Sequence, residues 1–325
     1  MNQPLPPPDQ VPAIEVQGVS RAFGTVQAVR DCTVTVPFGQ VTALVGPNGC
    51  GKSTLMLMLA ALLAPDAGTI RVGGQDPIRN PSAVKAMVGW MPDAFGTWDS
   101  LRVREVLQVI GAASFLPRDV VRERSQALMA ELDLLPLADQ PARVLSRGQK
   151  QRLGLARALI HEPRILILDE PASGLDPAAR RRLREVVRSR ADAGTAVLIS
   201  SHILSELEEM SDAVVVMDTG TVVRSGTVRE LADRPRAWRI EALSTRALRD
   251  AVFRLQVSGA TVVDADHTSS GHAECRIDLP DEATASRLLQ DLIGAGADVV
   301  GFAPATGRLE SAYLSSDAAR REGAL

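Results

Sequence analysis

Residues 46–54 read GPNGCGKST, set between the apolar run VTALV (41–45) and the run LMLMLAALL (55–63). This is the pattern G-x-x-x-x-G-K-[ST] in the order strand, loop, helix, and phosphate chemistry accounts for its spacing. Gly46, Gly49 and Gly51 let the backbone curl so that successive N–H groups converge on one concavity. The helix that follows adds the positive end of its dipole. Lys52 is then placed to reach the outer phosphates, and Ser53 to offer its hydroxyl to Mg²⁺. Asn48, Gly49, Cys50, Gly51, Lys52, Ser53 and Thr54 are the expected nucleotide contacts. A Gly-rich turn without a ligand has no need of Gly-Lys-Ser in register after a strand. The chain is therefore expected to bind a nucleoside triphosphate.

A chain of 325 residues with 45% apolar and 23% charged residues can bury a large core, and its length suggests two domains. A net charge of −3 gives no electrostatic argument for nucleic acid. Lys occurs only at 52, 85 and 150, which reads as a codon bias toward Arg. Cys32, Cys50 and Cys275 are far apart, fit no metal spacing and suit a reducing compartment. A thiol reagent on Cys50, inside the phosphate loop, is expected to block nucleotide. The longest apolar run, 55–64, is about half of a membrane span. The start, MNQPLPPPDQVP, lacks the layout of a signal peptide, and its prolines predict an extended, disordered tail over 1–12. A membrane role would thus come through a partner.

Residues 13–45 alternate as strands, and GTIRVGG (68–74) and residues 87–91 read as further strands. Residues 100–160 are helical in pattern. The β/α alternation resumes with ILILD (165–169), whose unbroken apolar character suits a parallel strand buried on both faces. A helix (178–192), the strand TAVLISS (195–201), a helix (203–210) and a hairpin (213–226) follow. The expectation is an α/β domain with a parallel sheet over 13–232, carrying a helical subdomain at about 93–160. Pro235 marks a boundary, and 236–325 read β-α-β-β-α-β, a small ferredoxin-like α+β domain. A short helix at RLESAYLSS closes the chain.

ILILDE delivers Asp169 and Glu170 at the C-terminal end of a buried strand, the ligand-binding edge of an open α/β sheet. Asp169 can hold Mg²⁺, and Glu170, pointing differently, can polarise the attacking water. LSRGQ (145–149) starts a helix with Ser146 as natural N-cap, and Gly148 lets a ligand approach the backbone.

The ordered set GPNGCGKST, LSRGQ, ILILDE, SGLD (173–176) and His202 resembles the ATP-binding subunit of ABC transporters over residues 13–232. The resemblance implies a P-loop ATPase using ATP and Mg²⁺, with Lys52, Glu170 and His202 catalytic and with Ser53 and Asp169 on the metal. Phe23 would stack on adenine, at a position often held by Tyr. Ser146, Gly148 and Asp176 would meet the nucleotide of the other subunit in a head-to-tail dimer, either a homodimer or a pair with a related ATPase subunit. His202 would contact the γ-phosphate.

Two positions depart from the family pattern. Asp93 stands where Gln usually contacts Mg²⁺ and the attacking water; a carboxylate can accept from metal-bound water but donates nothing and is shorter. Arg147 stands where Gly is common, so its side chain has to point away from the phosphates or add its charge to the interface. The segment MPD (91–93), GTWDSLRVREVL (96–107), a single ATPase unit and an ending in RLESAYL (308–314) are similar to the ATPase subunits of type-2 ABC exporters. That similarity implies integral membrane permease subunits as partners and a peripheral place on the cytoplasmic face of the membrane. A soluble ABC ATPase acting on ribosomes or nucleic acid is the main rival. Such proteins carry two ATPase units, long coiled coils or zinc-binding Cys clusters; this chain has one unit and three scattered Cys, so no nucleic acid is expected. A regulatory ATPase whose 236–325 domain senses a ligand stays open.

Overall fold

Alternating apolar residues in IEVQGVSRAF and VQAVRDCTVTV give β1 (Ile14–Phe23) and β2 (Val26–Val36), which pair antiparallel. The computed structural model describes residues 11–93, 96, 100–201, 204–228, 230, 236–257, 259–264 and 271–305. The expected tail up to residue 10, His202 and the closing RLESAYLSS helix lie outside the described residues. β3 (Val41–Val45) runs through the glycine-rich loop into α1 (Lys52–Leu59), and β4 (Ala67–Val72) pairs with β1. The result is a three-stranded antiparallel sheet, β2-β1-β4. α2 (Pro81–Met87) and β5 (Val88–Met91) follow. The sequence pattern showed only the strand there. α2 buries one side chain, Val84, and seven residues are too few for a helical period to emerge.

The helical stretch resolves into α3 (Val103–Ala113), α4 (Arg118–Glu131) and α5 (Arg147–Leu159). Then come β6 (Ile165–Leu168), α6 (Pro177–Asp192), β7 (Ala196–Ser200), α7 (Leu204–Met210), β8 (Ala213–Asp218) and β9 (Thr221–Thr227). The second sheet has the order β5-β6-β7-β3-β8-β9, and β5 through β8 are mutually parallel where they pair. Every residue of β3, β6 and β7 is buried, as strands covered on both faces require. Because these strands are parallel, the loop after β3 and the carboxylates after β6 emerge at one edge of the sheet. One core cluster joins both sheets to α1 through Leu55, Met56, Met58 and Leu59.

The chain divides into two compact units, Met1–Gly226 and Thr227–Leu325. The second contains β10 (Arg236–Ala242), α8 (Thr245–Arg254), β11 (Thr261–Val263), β12 (Ala273–Leu279), α9 (Glu282–Gly294) and β13 (Val299–Pro304). Its sheet has the order β11-β12-β10-β13, antiparallel throughout. Alternate residues of β12 (Ala273, Cys275, Ile277 and Leu279) enter its own core, and the rings of Trp238 and Phe302 stack at 4.9 Å. Among the described residues no helix is long and apolar enough to cross a membrane.

Candidate nucleotide site

The loop between β3 and α1 winds so closely against its neighbours that two of its glycines admit no side chain. A Cβ on Gly46 would stand 2.2 Å from the Met217 carbonyl oxygen, and one on Gly51 2.2 Å from that of Ala28. Gly51 also has φ 105°, in the left-handed region that glycine enters without strain. Backbone bonds hold the curl: Cys50 N–H donates to Pro47 at 3.2 Å, and Gly220 N–H donates to Cys50 at 3.0 Å. Lys52 is buried, and its Nζ donates to the carbonyl oxygens of Gly46 (2.8 Å) and Pro47 (3.1 Å). A buried ammonium needs such acceptors. The first turn of α1 has no acidic residue, so nothing there opposes an anion at its positive end.

Two strands away, Asp169 follows β6 directly, and its N–H donates to Met91 of β5 at 2.8 Å. Its carboxylate is buried and accepts a 2.6 Å bond from Ser200 Oγ. The same Oγ accepts from the Glu170 N–H at 3.0 Å. Ser200, the last residue of β7, thus fixes the Asp169 carboxylate and the Glu170 backbone. In the sequence the only signal of Ser200 is its place at the end of the apolar strand TAVLISS. Glu170 has φ 51°, rare for a residue with a Cβ, and there the chain leaves the strand direction. A cavity of about 220 Å³ is lined by Ala28, Asn48, Gly49, Gly51, Lys52, Ser53, Thr54, Asp93, Asp169 and Glu170. Nine of these ten were singled out in the sequence. Ala28 was not, because only the fold brings β2 against Gly51. A larger cavity of about 360 Å³ holds none of the candidate residues, and its charges are spent in the pairs Arg124–Glu162 and Arg190–Glu131.

Residues 29–173 match the ABC transporter family. The chain is 36% identical over 252 residues to the daunorubicin resistance ATP-binding protein DrrA3 of Streptomyces coeruleorubidus, spanning 77% of this chain and 80% of the relative. It belongs to the ABC transporter family. This ABC chain is also 31% identical over 307 residues to the daunorubicin/doxorubicin resistance ATP-binding protein DrrA of Streptomyces peucetius, covering 93% and 92% of the two. A solved ATP-binding subunit of an ABC transporter superposes with a TM-score of 0.64 at 29% identity, over 67% of this chain and 91% of that one. The chain is thus an ABC ATPase, which binds and hydrolyses ATP.

Other candidates in this ABC chain stand apart from the cavity. Phe23, at the end of β1, is 48% exposed, which excludes a place in the core. The Arg21 guanidinium lies 4.9 Å from its ring centroid and is itself held by Asp66 at 2.6 Å. Ser146 and Asp176 are exposed N-caps of α5 and α6. Ser146 Oγ accepts from Gln149 N–H at 3.2 Å, and Asp176 Oδ1 from Ala179 N–H at 2.8 Å. An accepting hydroxyl keeps its own proton to donate. Arg147 Nη2 donates to Ser173 Oγ at 2.6 Å.

Cys50 is buried and is not among the residues that line the cavity, which changes what a thiol reagent meets. Burial pushes its thiol up from the ordinary value, with Lys52 opposing more weakly. Cys32 is pushed up to about 12 by burial and then by Asp31, and Cys275 to about 11 by burial. The thiolate is the reactive form, so the native protein at pH 7 should react slowly and the denatured protein rapidly, at three thiols per chain. Rapid stoichiometric labelling of Cys50 in the native protein would contradict this. Raised thiol pKa values mean that the unfolded chain ionises first. Stability therefore falls as pH rises past the ordinary value of 9.0.

Proposed function

We propose that this chain is the ATP-hydrolysing subunit of a membrane ABC exporter, working as a pair of chains around two ATP molecules. The observation that carries the reading is the convergence of Lys52, Ser53, Asp93, Asp169 and Glu170 on one cavity at the carboxyl edge of a parallel sheet. Lys52 exchanges its two backbone carbonyls for the outer phosphates. Glu170 aligns and deprotonates the attacking water, and Ser200 holds the Asp169 carboxylate and the Glu170 backbone in place. Ser53, Asp169 and Asp93 present only hard oxygen donors, which fit Mg²⁺. Among the described residues no cluster of three or more acidic, His or Cys side chains could hold a metal alone. That suits an ion bound by one or two carboxylates together with substrate phosphates. Bound there, Mg²⁺ would neutralise charge developing on the phosphates. His202, following β7, would contact the γ-phosphate, and Phe23 would stack on adenine.

Neither Ser146 nor Gly148 nor Asp176 lines the cavity of its own chain. Exposed Ser146 at an α-helix N-terminus is suited to the phosphates of a second chain, most simply an identical one. ATP would bridge the two chains, and hydrolysis would remove the bridge. Binding can drive such a motion because the ligand contacts the closed pair more than the open one. The names of both Streptomyces relatives, drug-resistance ATP-binding proteins, support export as the work done and integral membrane permeases as partners. The helical segment from about 93 to 160 would carry the motion to the permease, and the chain would sit on the cytoplasmic face through it. We assign 13–232 to the ATPase domain and 236–325 to a ferredoxin-like domain. The β-α-β-β-α-β order and the β11-β12-β10-β13 sheet support the latter.

Membrane association tests this. The chain should pellet with membranes when co-expressed with its membrane permease, and should stay in the supernatant without it. Equal distribution in both cases would overturn the permease assignment.

A further inference from the structure

The arginine that departs from the family signature occupies a defined place. Arg147 is the first residue of α5, between Ser146 and Gly148, where a cation works against the helix dipole. Its stem lies on Gly174, where an added Cβ would stand 2.7 Å from Arg147 Cδ. Gly174 has φ 75°, so both space and backbone favour glycine at this seat. From there the guanidinium bonds Ser173 Oγ at 2.6 Å. Ser173 N–H bonds the Glu170 carbonyl at 3.1 Å, and Glu170 N–H bonds Ser200 Oγ, which donates to Asp169. An unbroken path of four hydrogen bonds thus runs from the start of α5 to the acid pair.

We propose that Arg147 is a positioning residue that ties the outward-facing start of α5 to Glu170. The proposal rests on the reading above, in which Ser146 and Gly148 meet the ATP of the second chain. Under that reading one end of the tether senses nucleotide in one site, and the other end sets the water-aligning acid in the other. Filling one site would then organise Glu170 in its counterpart, making hydrolysis cooperative in ATP.

The test compares the parent chain, Arg147→Ala, Ser173→Ala and the double variant, each full length and with the permease. Steady-state hydrolysis is measured against ATP concentration, alongside direct ATP titration and thermal melting. Each single variant should lose on the order of tenfold in kcat and its sigmoidal ATP dependence, with ATP affinity unchanged. The double variant should be no worse than the singles, because both act on one tether. Arg147→Lys should recover part of the rate, since an ammonium can still reach the hydroxyl. Parent-like kcat in both singles, multiplying losses in the double variant, or losses explained by a lower melting temperature would overturn the tether. Sedimentation of Glu170→Gln with Mg-ATP separates the two levels. Single chains there would sink the dimer reading itself, whereas pairs there with parent-like Arg147→Ala kinetics would sink the tether alone.

Discussion

Glu170→Gln should bind ATP with parent-like affinity and release phosphate about 10²–10⁴-fold more slowly, the range a positioned general base contributes. The substitution keeps the volume of the side chain and removes its negative charge and with it the ability to take a proton. The bonds that fix this corner use the Glu170 backbone, its N–H to Ser200 and its carbonyl to Ser173 N–H, and both survive the change. Asp169 keeps its bond from Ser200. Binding and catalysis should therefore separate cleanly. A direct ATP titration should match the parent, while phosphate release falls to a trace and pairs of chains accumulate in Mg-ATP. If phosphate release stayed at the parent rate, the base would have to be sought elsewhere. Asp93 lines the same cavity and would be the next residue to replace.

What the sequence could and could not carry follows from the range of each signal. β3, β6 and β7 were legible because strands buried on both faces leave unbroken apolar runs, and helices α3 to α6 because 11 or more residues let a period show. α2 was lost to its length and Ser200 to its ordinary identity. Ala28 belongs to β2, more than 20 residues before Gly51, and nothing local marks it. The glycine-rich loop was legible because its pattern is contiguous: glycines, Lys and Ser follow one another. Asp169 and Glu170 needed one more step, a hydrophobic strand delivering acids to an edge. The departures at 93 and 147 were visible as letters, but their consequences needed coordinates. Asp93 lines the cavity, and Arg147 turned out to bond the loop after the acids. Cys50 shows the reverse case. Its position in the loop suggested that a thiol reagent there would block nucleotide, and the fold buries it, with its Sγ close against Gly46.

Lys52→Ala should lower ATP affinity by about 10–100-fold, since a hydrogen bond to a charged group contributes roughly 1.5–3 kcal/mol and about 1.4 kcal/mol is a factor of ten. The ammonium is already desolvated and held 2.8 and 3.1 Å from the Gly46 and Pro47 carbonyls. Most of the cost of burying it is thus met in folding, and a phosphate replaces neutral acceptors with a charged one. That makes the lysine a larger contributor to binding than an exposed cation would be. The same bonds brace the loop. Removing the side chain leaves two carbonyls without this donor, and the melting temperature of the nucleotide-free protein should also fall slightly. Lys52→Arg should not restore affinity, because a planar fork cannot occupy the place of a compact ammonium between two successive carbonyls. Calorimetric titration with ATP, with and without Mg²⁺, reads the first effect, and thermal unfolding reads the second. Unchanged affinity in Lys52→Ala would mean that the backbone N–H groups of residues 48–54 hold the triphosphate unaided.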